Sequence, residues 1–165
     1  MRRLLADRRE MREVLDRLRG ASEAADEGGM EGALRAAYAM GLHETGEMQA
    51  RAAVQAARER YVALSGNRVA LREALGNRSL SELETAVDEG SRLGAKCDEF
   101  KEGRGVVKHM RKVREQSEAA LQRLDERDLK EALTMADRAG FELPTTETIR
   151  RMLKMPPRQL LKLRL

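Results

Sequence analysis

The 165-residue chain has no tryptophan, two tyrosines, two phenylalanines, one cysteine and three prolines. Each scarcity excludes something. A single cysteine, Cys97, rules out an intramolecular disulfide and argues against a disulfide-stapled secreted domain. No apolar run approaches the roughly 18 residues a spanning helix needs. The opening "MRRLLADRREMREVLDRLRG" contains Asp7, Glu10, Glu13 and Asp16 and has no apolar stretch. It reads as mature helix, not as a targeting peptide. An intracellular protein, cytoplasmic or cytoskeleton-associated, is the expectation. With four rings (Tyr38, Tyr61, Phe100, Phe141), the core has to be built from Leu, Ala, Val and Met.

Ala, Leu, Arg and Glu dominate instead, all strong helix formers, and 36% of the chain is charged. The expected fold class is all-α. Net charge is +4, but it is unevenly placed. Residues 149–165 hold Arg150, Arg151, Lys154, Arg158, Lys162 and Arg164 with no acid. Removing these six from the 32 basic residues leaves 26 against 28 acids, a net −2 for residues 1–148. The body reads as helices whose exposed faces interleave acids and bases.

The chain also repeats itself. Sliding residues 60–92 onto 109–141, an offset of 49, superposes Tyr61 on Met110, Leu64 on Val113, Leu80 on Leu129 and Val87 on Ala136. An earlier copy fits at an offset of 50 through Met11, Val14, Ala21, Met30, Ala33 and Ala37. Fixed-period similarity points to stacked supersecondary units. Each unit (about 10–42, 60–92 and 109–141) reads as a long helix, a tight turn and a short helix. Antiparallel hairpins of this kind would stack as a helical bundle or a short α-solenoid, within one domain over 1–155. "SLSE" (Ser79, Glu82) and "DLKE" (Asp128, Glu131) fit capping boxes for the short helices. Gly41, Gly94 and Gly140 stand where those helices should stop. "KEGRG" (101–105) is read as a helix break, "SGN" (65–67) as a bend and "EAADEGG" (23–29) as a loop. Pro144 announces a last helix over 146–155, and Pro156 and Pro157 end it. A tail, 156–165, follows.

Chemical motifs are weak throughout. His43, in "HETGE", lacks the second histidine of a zinc-protease motif, and His109 has no metal-ligating residue at helical spacing. "GRGVVK" (103–108) lacks both a third glycine and the G-K-[ST] ending of a phosphate loop. No catalytic, metal or cofactor site is assigned, and the chain is read as not an enzyme. Leu4, Met11 and Leu18, seven apart with Leu15, form a short heptad seam that self-packing explains better than a partner chain.

"DLKEALTMADRAGF" and "SLSELETAVDEGSRLG" resemble the helical-hairpin repeats of large protist cytoskeletal and flagellar proteins, in which hydrophobic-x-x-A-L-x-x-A-x-x-x-G-L recurs. The resemblance implies a scaffold role and carries no catalytic residue over. The function expected is a structural or adaptor module binding partner proteins in a larger assembly. Its C-terminal segment (Arg150, Arg151, Lys154, Arg158, Leu160, Leu161, Lys162, Leu163, Arg164 and Leu165) would dock on an acidic partner surface. RNA or an anionic membrane bound through the same tail is the alternative.

Overall fold

The computed structural model describes residues 2–141 and 143–155, with side chains from residue 8 onward. It is all-α, with seven helices among the described residues: α1 (Arg2–Ala24), α2 (Glu27–Ala39), α3 (Met48–Asn77), α4 (Leu80–Leu93), α5 (Asp98–Arg123), α6 (Glu126–Ala139) and α7 (Pro144–Leu153). Long and short helices alternate through α6, as the periodicity predicts. The chain divides into two compact units, one of residues 1–69 and 88–98, the other of 70–87 and 99–165.

Each long helix passes to its short partner through two residues. Ala25, Arg78 and Leu124 take a left-handed conformation (φ 51°, 53° and 53°) that non-glycine residues seldom adopt. Asp26, Ser79 and Asp125 follow as the residue before the short helix. Asp26 and Asp125 are extended there, and their carboxylates accept backbone N–H bonds from Gly29 and from Arg127 and Asp128. The cap of α6 is therefore Asp125; Asp128 lies three residues inside, so the box expected at "DLKE" is displaced by one turn. Sixteen residues after each left-handed residue comes a left-handed glycine, Gly41, Gly94 or Gly140.

These markers correct the repeat register. Structural equivalence runs at offsets of 53 and then 46, each three residues from the offsets the sequence suggests. Three residues is close to one helical turn, so the false register still laid apolar on apolar. In the true register Met30, Leu83 and Leu129 coincide, all fully buried, as do Ala33, Ala86 and Ala132. Leu64 coincides with Met110, and Leu71 with Ser117.

"EAADEGG" is mostly helix rather than loop. α2 begins at Glu27 because the Asp26 carboxylate accepts from the Gly29 N–H at 3.1 Å. A Cβ at Gly29 would fall on that carboxylate, whereas one at Gly32 meets nothing within 4 Å. Gly32→Ala should therefore raise stability by about 0.5–1 kcal/mol, as removing a helix-interior glycine does. Gly29→Ala should lower it by about 1 kcal/mol through loss of the cap. Urea midpoints of the two variants test this, and a gain at both positions would contradict the capping geometry.

Within the first unit, Val14, Leu18, Ala33, Leu34, Ala37, Leu42, Val54 and Ala57 form one core. Leu18, with half-buried Met11 and Leu15 against it, spends most of the heptad seam inside this unit. Arg60 of α3 crosses it with two bonds: Nε donates to the Ser22 carbonyl at 2.8 Å and Nη2 to the Leu93 carbonyl at 3.1 Å. Both carbonyls lie in the last turns of helices, α1 and α4, where i+4 donors run out; that of Ser22 also accepts from the Ala25 N–H at 3.2 Å.

Within the second unit, α5 runs unbroken through "KEGRG". Gly103 is buried, and a Cβ there would lie 3.1 Å from Leu83, 3.3 Å from Leu71 and 3.3 Å from Val87. The glycine is a point of close helix approach, not a break. α3 likewise continues through "SGN". The α4–α5 contact is flanked by Glu84, which receives Arg111 at 3.5 Å and Arg114 at 3.4 Å. Glu99 binds Arg72 at 2.6 Å and raises that guanidinium further above its already high pKa, first by hydrogen bonding and then by charge.

α7 lies on α6 in the same unit, where Ile149 is fully buried with Ala120, Leu129 and Ala132. At the offset of 46, Ile149 is the equivalent of Gly103, and Ser117 of Leu71. The large–small pair Leu71 and Gly103 of one copy is replaced at the equivalent positions of the next by the small–large pair Ser117 and Ile149.

Candidate functional site

Of the ten residues assigned to partner binding, Arg150, Arg151 and Lys154 are described; the other seven lie outside the described residues. Pro144 sits at the first position of α7, where a missing N–H costs nothing, and Leu143 precedes it with no side-chain cap. The helix ends at Leu153, two residues short of the expected 155. Its buried side is Thr146 and Ile149, which leaves Arg150, Arg151 and Lys154 exposed.

The structure gives two of these arginines carboxylate partners. Arg150 Nη2 lies 2.6 Å from Asp137 Oδ1 on α6, and Arg151 Nε lies 3.1 Å from Glu147 Oε1 one turn earlier. All four side chains are about half exposed or more, so water screens these pairs and each contributes at most about 1 kcal/mol. An incoming carboxylate could exchange for either at small cost. Met155, 38% exposed, carries apolar surface toward the start of the tail.

Beside Arg150, the α6–α7 junction forms a half-open cleft of ≈ 380 Å³ lined by Ala136, Asp137, Gly140, Phe141, Leu143, Thr146, Glu147 and Arg150. Thr146 is 5% exposed and its hydroxyl has no hydrogen-bond partner. Nothing in the local sequence marks this cleft. In the 46-residue register Thr146 is the equivalent of Phe100, and both residues are buried.

No family model, curated protein or solved structure matches the chain. The hairpin pattern of α4 and α6 thus stands as a likeness in sequence, and the buried alanine and leucine positions of a short amphipathic helix account for it physically.

The reactive side chains do not form a second site within either unit. His43, in the α2–α3 linker, packs its ring 4.5 Å from that of Tyr38 and places Nε2 3.4 Å from Glu44. Cys97 is half-buried in the first unit, and His109 is exposed on α5 in the second. Among the described residues, no three His, Cys, Asp or Glu side chains gather as a metal ion would require. "GRGVVK" lies inside α5, whose continuous helix offers no phosphate-cradling loop. No helix among the described residues is long and apolar enough to cross a membrane. The larger exposed apolar residues include Val62 (60%) and Val69 (49%), two turns apart on one face of α3.

Proposed function

We propose that the chain is a non-catalytic structural or adaptor module that binds partner proteins within a larger assembly, its basic C-terminal segment docking on an acidic partner surface. One observation carries the reading. All of the positive excess sits in residues 149–165, and the two arginines that have partners there hold them only through solvent-exposed pairs. Arginine suits such a contact because its planar fork binds carboxylates in two-point fashion. Exposed Val62 and Val69 add an apolar face for further contacts. A cytoplasmic or cytoskeletal setting fits this role.

The test is a truncation whose end point the structure dictates. Stopping at residue 148 would remove Ile149 from the second unit's core, so the chain should end at Met155. Full-length protein and residues 1–155 are used as baits from the native source, at low and high salt. Acidic proteins should be retained by the full chain at low salt, held more weakly by residues 1–155, which keep Arg150, Arg151 and Lys154, and lost at high salt, because screening weakens exposed charge pairs. Equal capture by both baits would count against tail docking. Binding to RNA or anionic vesicles that disappears on truncation, with no protein affected, would replace the proposal by polyanion recognition.

A further inference from the structure

We infer that the exposed face of α5 binds the phosphate backbone of double-stranded nucleic acid. The inference goes beyond the tail-docking reading and uses none of the tail's residues.

The charge pattern comes first. From Gly103 to Arg114 the sequence "GRGVVKHMRKVR" holds no acid and five bases, Arg104, Lys108, Arg111, Lys112 and Arg114. Removing these five and the tail's six from the 32 basic residues leaves 21 against 28 acids. The run is a second concentration of positive charge in a chain that is acidic elsewhere. α5 passes through it without a break, so helix geometry decides where its side chains stand. Lys101, Arg104, Lys108, Arg111 and Lys112 fall within about 100° of arc and spread over about 16 Å of axis. All five are exposed.

The chain does little to neutralise this stripe. Arg9, Arg35 and Lys130, on α1, α2 and α6, each take an acid one turn away. Arg104 and Lys108 have no acid three or four residues away in either direction, so their own helix cannot satisfy them. Among the described residues, Arg104, Lys108 and Lys112 have no carboxylate partner, and Arg111 reaches Glu84 at 3.5 Å through a side chain that is 57% exposed.

What the face lacks selects the ligand. It carries no aromatic ring, and none of the large exposed apolar residues lies on α5. Protein interfaces build their centre from apolar and aromatic side chains and are poor in lysine, whereas nucleic-acid interfaces are polar and strongly positive. Lys101, Lys108 and Lys112 are three of the chain's seven lysines. An ammonium meets phosphate as a point charge, without the fork geometry that arginine brings to carboxylates. Single strands are held largely by stacking on rings, which points to the duplex form. A duplex carries one negative charge per about 1.7 Å of axis, roughly ten over the stripe's length. A flat anionic membrane would gain no apolar insertion here and would meet Glu115, exposed on the same face just past Lys112.

The probe is a fluorescein-labelled DNA duplex of about 20 base pairs, titrated with full-length protein from about 50 to about 200 mM salt and read by anisotropy. Binding should have a Kd on the order of 10⁻⁵ M at the lowest salt, and five phosphate contacts should give a slope of log affinity on log salt of about −4 to −5. R104Q/K108Q/K112Q removes three exposed charges while keeping good helix formers, so Tm should hold. It should weaken the duplex by about tenfold or more and make the slope shallower by about 3. R158Q/K162Q/R164Q takes the same charge from the tail and should cost less than the α5 variant on both measures. An RNA duplex in place of DNA should respond to the same α5 variant, since the backbone is what is held. Absence of duplex binding at the lowest salt, an equal loss in the tail variant, or a single strand bound as tightly as the duplex would each overturn the proposal. So would displacement of the duplex by poly-glutamate at equal charge, or phosphatidylserine vesicles that lose binding in the α5 variant while the duplex does not. Truncation at Met155 leaves this face intact, so failure here and failure of tail docking are read separately.

Discussion

Gly103→Ile is expected to lower stability by about 3 kcal/mol, the upper end of what over-packing a close-packed core usually costs. The added branch would run into Leu71, Leu83 and Val87, which already stand 3.1–3.3 Å from where a Cβ would be. Leu71→Ser alone should also be severe, about 3–5 kcal/mol, since it empties a fully buried site and leaves a hydroxyl in it. The informative variant is the pair. Ser117 and Ile149, both fully buried, hold the equivalent positions one copy later. Leu71→Ser/Gly103→Ile should therefore be more stable than the sum of its parts predicts by roughly 1–3 kcal/mol, the range of coupling between touching residues. Thermal or urea unfolding of the four proteins measures that coupling, and strict additivity would mean that the two positions do not compensate each other.

Arg60→Ala should cost about 2–4 kcal/mol. The change strands the Leu93 carbonyl of α4 and leaves the Ser22 carbonyl of α1 with only the Ala25 N–H, at 3.2 Å. Hydrogen bonds to a charged donor contribute about 1.5–3 kcal/mol each, and re-entry of water recovers part of the loss. Arg60→Lys should recover less than half, because one ammonium cannot reproduce the two-pronged reach of the fork. Hydrogen exchange adds location: amides in the last turns of α1 and α4 should lose protection together. If only one helix end responds, the bridge is not shared.

Helix content was readable from the sequence because Ala, Leu, Arg and Glu leave few alternatives and the apolar spacing sets the stripes. The terminating glycines were readable for the same reason. The turns opening the short helices were readable only in part: Ser79 stands just before α4 as the capping box places it, but the left-handed residues ahead of the short helices had no signal. Gly and Asn are the residues one looks for at left-handed positions, and Ala25, Arg78 and Leu124 are neither. Without those anchors the repeat could slide by almost one helical turn and still match. The role of Gly103 was misread because a glycine in a helical stretch looks alike as a breaker and as a contact. Likewise, Arg151–Glu147 follows from helical spacing, whereas Arg150–Asp137 joins two helices and no local pattern announces it.

The corrected register has a consequence for where the chain can change length. From Ala57 to Gly94 and from Gly103 to Gly140 the count of residues is the same, left-handed turn included. The seven extra residues of the middle copy all fall earlier, between Gly41 and Ala57, in a longer linker and an added first turn of α3. Residues 44, 46 and 47 there are exposed. Insertions, affinity tags or a permuted terminus belong at residues 44–47, clear of buried Leu42, Ala50 and Val54. A single residue added between Gly103 and Gly140 would rotate every following side chain of its helix by 100° and turn the stripe out of the core.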